Sequence, residues 1–297
     1  MLCCRRRRAI GLTIIAIVSA VSIGRSQAQS PSHGGQSTLS ETLLDDAALT
    51  DVCFVNRATG WSFGERGVIW HTRDGGTTWQ QQKSPVDGRL SGGFFLDASR
   101  GFAVGGRHKP FSPSTVGTVV RTADGGATWS MVSMDELLPA LADVRFFSPS
   151  EGIAFGAPGP LAASGVFATR DAGRSWLALA SDEPGPWLAG DFLDASTGAV
   201  AGPPGRFATI AGRQLVTSPL SSPGSRMVRA LRLTAPTGGW MVGDGGLVAT
   251  TGDLGRSWQT HSGPLPAAAA QQFDFHAVAV HGANVWIAGA PGTTVFH

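Results

Sequence analysis

An eight-residue phrase, Thr-x-Asp-x-Gly-x-(Thr/Ser)-Trp, occurs four times in the chain, at Thr72–Trp79, Thr122–Trp129, Thr169–Trp176 and Thr251–Trp258. A phrase that returns at a near-constant period marks one supersecondary unit stacked many times. Asp followed by small residues makes a tight turn whose carboxylate accepts from nearby backbone N–H groups. The Gly three places after the Thr in two copies supplies backbone freedom. The flanking Thr, Ser and Trp favour strands, and the Trp brings a large apolar body for packing. Residues present in every copy build the repeat, so Asp74, Trp79, Asp124, Trp129, Asp171, Trp176, Asp253 and Trp258 are read as structural.

The phrase matches the Asp-box, or bacterial neuraminidase repeat. Around the first copy lie Leu49–Phe54, Gly60–Gly64, Gly67–Thr72 and Thr78–Gln80, four short strands separated by turn signals. That is the content of one propeller blade. The same skeleton returns at Leu141, Gly152 and Gly165, and again at Val228, Gly239 and Gly246. Asp74 to Asp124 is 50 residues, Asp124 to Asp171 is 47, and Asp171 to Asp253 is 82. The last interval holds two units, so a degenerate one is expected over Leu188–Thr217, with Ala211 where the Asp belongs. A sixth unit runs from Phe275 to His297. The predicted fold is an all-β propeller over 49–297, either six-bladed or a truncated seven-bladed ring. A Gly count of 41 in 297, about twice the usual share, suits many short strands with tight turns. Residues 29–48 form an N-terminal segment that could supply a closing strand, although Ser37–Asp46 reads as more helical than strand-like.

Residues 1–28 read as a secretory signal. Arg5–Arg8 form the basic region, Ala9–Ile23 the apolar one, and Ser26-Gln27-Ala28 a small-x-small cleavage site. The apolar run is shorter than the ~20 residues of a spanning helix, so no stable membrane span is expected after cleavage. Arg7-Arg8 leaves both the general and the twin-arginine export routes open. Cleavage removes five arginines, leaving 18 basic against 21 acidic residues, and no bulk attraction to nucleic acid follows. Cys3 and Cys4 leave as well, so Cys53 stands alone and no internal disulfide can form in the periplasmic or secreted product.

Repeats of the form (L/V)-x-x-V-x-F, G-W-x-x-G, G-x-(I/V)-x-x-T and D-G-G-x-T-W resemble the photosystem II stability/assembly factor family of secreted β-propellers. The likeness runs from Leu49 onward and is closest at Asp74 and Asp124. It implies a non-enzymatic assembly factor, seven-bladed in the family, with an arginine-rich surface for a protein partner. The chain departs from that pattern in its visible blade number and in the missing Asp-box near Ala211.

Asp-boxes also occur in glycosidases. Sialidase chemistry needs a Tyr nucleophile, and the chain has no Tyr, which excludes it. A carbohydrate-active propeller, either a two-carboxylate glycosidase or a lectin, is the alternative reading, with Asp51, Asp143, Asp191 and Asp274 at the starts of innermost strands. Carboxylates there more often satisfy backbone donors. No P-loop, dinucleotide fingerprint or nucleophile elbow occurs, and neither a metal nor a cofactor is implied. His71 and His297 hold equivalent places in their repeats, an architectural signature.

Binding residues are sought where the repeats differ, in loops on the face away from the Asp-boxes. The connections between second and third strands, with the links between blades, would gather Arg66, Arg89, Arg107, Lys109, Arg206, Arg226 and Arg229 there. Phe111 and Trp187 would supply apolar anchors. The bland alternative is a set of scattered solvated charges. The expected product is a monomeric, non-catalytic scaffold with a protein partner.

Overall fold

Each copy of the skeleton folds as an antiparallel meander, because short β-prone runs separated by turn residues pair most cheaply with their sequence neighbours. The computed structural model describes residues 46–297 apart from 110, 113, 160–161, 218–224, 262–270 and 293. The signal and most of the N-terminal segment expected to close the ring lie outside the described residues.

Blade 1 comprises β1 (Leu49–Phe54), β2 (Gly60–Gly64), β3 (Ile69–Thr72) and β4 (Gln80–Gln82). Blade 2 has β5 (Arg89–Phe95), β6 (Gly101–His108), β7 (Thr115–Thr122) and β8 (Ser130–Met131). Blade 3 has β9 (Leu141–Phe146), β10 (Gly152–Gly156), β11 (Val166–Thr169) and β12 (Leu177–Ala178). Next in the chain is β13 (Ala180–Ser181). Blade 4 follows with β14 (Ala189–Asp194), β15 (Thr197–Ala201), β16 (Phe207–Ala211) and β17 (Gln214–Thr217), and β13 pairs parallel to β17 at its edge. Blade 5 has β18 (Val228–Thr234), β19 (Gly238–Gly243), β20 (Leu247–Thr251) and β21 (Gln259–Thr260). Blade 6 is three-stranded among the described residues, with β22 (Asp274–His281), β23 (Asn284–Ala290) and β24 (Thr294–Phe296). The protein is a six-bladed all-β propeller.

A β-bulge recurs at the start of the innermost strand. It follows Leu49 opposite Gly64, Leu90 opposite Gly105, Leu141 opposite Gly156, Val228 opposite Gly243, and Phe275 opposite Gly289. The extra residue kinks the strand against its neighbour. A Cβ on Gly105 would lie 1.9 Å from the Arg89 carbonyl oxygen, so only glycine fits opposite the bulge.

Innermost strands pack in chain order, β1 on β5, β5 on β9, β9 on β14, β14 on β18 and β18 on β22. The apolar cores lie between consecutive blades, and three of the four Asp-box Trp residues pack backwards onto the preceding one. Trp129 joins Trp61, Phe63 and Ile69 of blade 1, Trp176 joins Val104 of blade 2, and Trp258 joins Ala199 and Phe207 of blade 4. Trp79 differs. It meets Phe54 of its own blade edge-on at 6.1 Å, as Trp129 meets Phe95 and Trp176 meets Phe146, but it is only half-buried.

The degenerate unit is blade 4, with one change of register. Gly198 pairs with Ile210 as Gly60 pairs with Thr72, which moves the Asp place from Ala211 to Gly212. A tight turn through Gly212 (φ 67°) replaces the Asp-box there. His71 and His297 do play one role: each stacks on a Trp of its own blade, Trp61 at 4.8 Å and Trp286 at 5.1 Å.

Candidate functional site

The Asp-boxes are built as their chemistry predicts. In the third copy the Thr169 hydroxyl donates to Asp171 Oδ1 (3.0 Å), and the Ser175 N–H donates to the same oxygen (2.9 Å). The Ser175 hydroxyl donates to Oδ2 (2.6 Å), while the Gly173 N–H donates to Thr169 Oγ1 (2.9 Å). Asp74 and Asp124 make the same set, and the hydroxyls of Thr78 and Thr128 lead in holding their carboxyls down at about 2. The residue after each Asp has a left-handed φ: Gly75 (74°), Gly125 (73°), Ala172 (62°) and Leu254 (61°). Sequence reasoning placed glycine at this turn for its freedom, yet two copies hold side chains in the same conformation. The carboxylates are consumed by their own turns, and these turns bond to the first hairpin of each blade, as in Gly75 N–H to Ala58 O at 2.9 Å.

A second group sits on the innermost strands. Register puts Asp51 and Asp143 at one level, opposite Phe63 and Phe155. Arg145, Asp191 and Arg232 lie opposite Ile153, Ala199 and Trp240, at the next level. These groups stitch blade to blade. Asp51 Oδ2 accepts from Gly93 N–H (2.9 Å), Arg145 Nη1 lies 2.7 Å from Asp191 Oδ1, and Asp191 Oδ2 accepts from Leu233 N–H (2.9 Å). Gly92 makes room for Asp143, since a Cβ there would meet Asp143 Oδ1 at 2.4 Å. Burial pushes the Asp51 carboxyl up to about 6, against the pull of the Gly93 N–H and Arg232. Burial, with the charge of Asp51 added, pushes Asp143 up to about 7. Asp274 lies apart from this group and accepts from Gly245 N–H (2.9 Å). The two arginines escaped the sequence reading; their signal was a charged residue recurring at one place in successive innermost strands.

The third group is the face opposite the Asp-boxes. Three ion pairs join a loop between second and third strands to a link between blades or to the start of the innermost strand it leads into, so both sets share this face. Arg89 pairs with Glu65, Arg206 lies 3.6 Å from Glu183, and Arg229 grips Asp244 through two bonds (2.7 and 3.0 Å). Arg226 donates to Gly245 O (3.4 Å) on the same side. Arg66 is exposed in a left-handed turn (φ 57°). Arg107 and Lys109 rise on the long β6–β7 hairpin, whose tip presents a fully exposed Phe111. Trp187 departs from its expected place as a surface anchor. It is fully buried, donates to Ser164 O (2.6 Å), and carries the Arg206 guanidinium 5.2 Å above its ring. Arg206 also donates to Pro184 O and Gly185 O, so its fork is largely engaged within the protein.

The sequence matches the model of the photosynthesis system II assembly factor YCF48 family over residues 37–186 and 218–297. The chain belongs to this family. Among curated proteins, none matches. Similar solved structures include "YCF48 bound to D1 peptide", at 23% identity and a TM-score of 0.63, covering 83% of this chain and 76% of that one. YCF48 from Cyanidioschyzon merolae is 16% identical with a TM-score of 0.52, covering 83% and 94%. An ancestral GH74 enzyme shares the architecture at 14% identity and a TM-score of 0.56, covering 81% of this chain but 34% of that one. As a family member the chain is a propeller of the assembly-factor type. Among the described residues, no helix is long and apolar enough to cross a membrane, and no cluster of His, Cys, Asp or Glu is placed to hold a metal ion.

Proposed function

We propose that this protein is an exported, non-catalytic propeller that binds a protein partner through its arginine-bearing face and acts as an assembly scaffold. One observation carries the reading: seven cationic side chains from four blades share a single face, with an exposed aromatic at the tip of its longest hairpin. Glu65, Glu183 and Asp244 hold three of the guanidinium groups in place, which lowers the ordering cost of binding. A planar guanidinium fork suits carboxylates and aromatic faces of a peptide. Family membership, and a solved relative carrying a D1 peptide, favour a polypeptide ligand. Export rests on the signal pattern of residues 1–28, cleaved after Ala28.

Arg107→Glu with Lys109→Glu tests the face, since both side chains are exposed and Arg206 is tied to the core. The parent is expected to retain a D1-type peptide or a partner from the exported fraction, and the double variant to lose it with an unchanged melt. Equal retention by both proteins would refute the reading.

One observation favours a second reading. Asp51 and Asp143 share one level of the innermost strands and interact electrostatically, so a carboxyl pair is present, although burial raises both where a two-carboxylate glycosidase needs one acid and one ionised partner. Turnover in a glycan hydrolysis panel, abolished by Asp143→Asn, would establish it in place of the scaffold.

A further inference from the structure

Blade 4 lacks an Asp-box, and the lack lengthens an edge. With Gly212 and Arg213 as a two-residue turn, its outermost strand β17 runs for 4 residues, against 3 in β4 and 2 in each of β8, β12 and β21. A longer outermost strand offers other chains a longer row of unpaired backbone groups. The blade also lacks the Trp that fills the seams before blades 2, 3 and 5. By register, Val216 faces Thr209 as Leu177 faces Ala168, so Leu215 takes the place of Trp176 with a smaller side chain.

The segment from Leu179 to Trp187 answers both losses. Leu179 N–H donates to Val166 O of blade 3 (2.9 Å), and the next N–H, of Ala180, donates to Arg213 O of blade 4 (3.3 Å). Leu179 shares the seam core with Leu215, as Val132 shares the preceding one with Trp176. Ala180 and Ser181 then lie parallel to Gln214 and Leu215, and no other outermost strand has a fifth strand beside it among the described residues. Two parallel residue pairs hold little by themselves, so the fastening lies beyond Ser181. Gly185 N–H donates to Ala163 O (2.7 Å), Trp187 N–H to Gly156 O (3.0 Å) and the Trp187 indole to Ser164 O (2.6 Å), all in blade 3. From blade 4, Arg206 donates to Pro184 O and to Gly185 O (3.3 Å), lies 3.6 Å from Glu183 Oε2 and covers the Trp187 ring at 5.2 Å.

We propose that residues 179–187 are a strap that replaces the missing Asp-box as the fastening between blades 3 and 4 and guards the β17 edge, with Arg206 as its clasp. One guanidinium fork reaches two strap carbonyls, a carboxylate and an indole face, which a single ammonium cannot match. The clasp sits on the arginine-bearing face and the guarded edge on the rim, so release of Arg206 at one place uncovers β17 at the other.

Amide hydrogen exchange on the full chain tests the clasp. Arg206→Ala is expected to exchange about tenfold faster or more at β13 and β17, by local opening, and to associate with rising concentration in light scattering. Arg206→Lys should do the same, because it keeps the charge without the fork. Arg229→Ala breaks another two-bond pair on that face and should leave β17 at parental rates. Ala180→Pro removes the N–H that reaches Arg213 and should expose the same amides from the other end of the strap. Parental β17 exchange in both Arg206→Ala and Ala180→Pro would overturn the proposal. An equal effect of Arg229→Ala, or acceleration spread evenly around the ring, would overturn it too, since either would make Arg206 a residue of general stability.

Discussion

Arg145 Nη1 sits 2.7 Å from Asp191 Oδ1, joining the innermost strands of blades 3 and 4, while the other oxygen of Asp191 accepts from Leu233 N–H of blade 5. One carboxylate thus ties three consecutive blades. Asp191 is almost fully buried and Arg145 opens partly to solvent, so the two halves of the pair should respond unequally. Asp191→Ala is expected to cost about 3 kcal/mol, because it strands a cation and a buried N–H. Arg145→Met should cost more, since it leaves the almost fully buried Asp191 carboxylate without its counter-ion, whereas an orphaned Arg145 can turn to solvent. Denaturant titrations giving equal losses would contradict this account.

The raised carboxyls make stability depend on pH. Asp51 and Asp143 hold protons up to about 6 and about 7 in the folded state, against 3.8 for an ordinary Asp. Between about pH 4 and 7 the folded chain binds more protons than the unfolded one, so stability falls as pH rises through that window. Asp74 and Asp124 act in the opposite sense: their carboxyls are depressed to about 2, and their contribution is lost as pH falls below 3.8. Maximum stability is expected near pH 4–5, by about a unit either way. Asp143→Asn should flatten the decline above pH 5 and melt higher than the parent at pH 8. A parental slope in the variant would remove Asp143 from the explanation.

The Asp-box makes two separable contributions. Trp176 is buried in the seam between blades 2 and 3, so Trp176→Ala should cost about 3–5 kcal/mol as an aromatic core deletion. Asp171→Ala leaves turn donors near water and should cost about 1–2 kcal/mol. Trp79→Ala should cost less than Trp176→Ala, because Trp79 is half-buried. Equal effects of the two Trp substitutions in chemical melts would argue against backward packing.

Leu254 occupies a left-handed turn (φ 61°) that Gly75 and Gly125 fill in other repeats. A side chain there carries a steric cost that glycine lacks, offset in part by glycine's greater freedom when unfolded. Leu254→Gly is expected to stabilise by about 0.5–1 kcal/mol, and the reverse change, Gly125→Leu, to destabilise. A lower melting temperature for Leu254→Gly would show that its side-chain contacts outweigh the strain.

What the sequence determined by itself is local. The turn phrase fixes where the hairpins bend, since an Asp accepting from the Thr two before it and the Thr or Ser four after it needs nothing beyond its own neighbourhood. The period fixed the strand order and the fold class, including the degenerate blade. It also assigned the arginine loops to one face, because a meander must alternate ends. Only tertiary structure decided which side chains meet across blades. Arg145 and Asp191 are 46 residues apart, and their contact follows from the rotation of one blade against the next. Trp187 read as a loop anchor, yet packing over Ser164 and beneath Arg206 buried it. The Asp place of blade 4 moved from Ala211 to Gly212 because hydrogen bonds across a sheet, rather than spacing along the chain, set register.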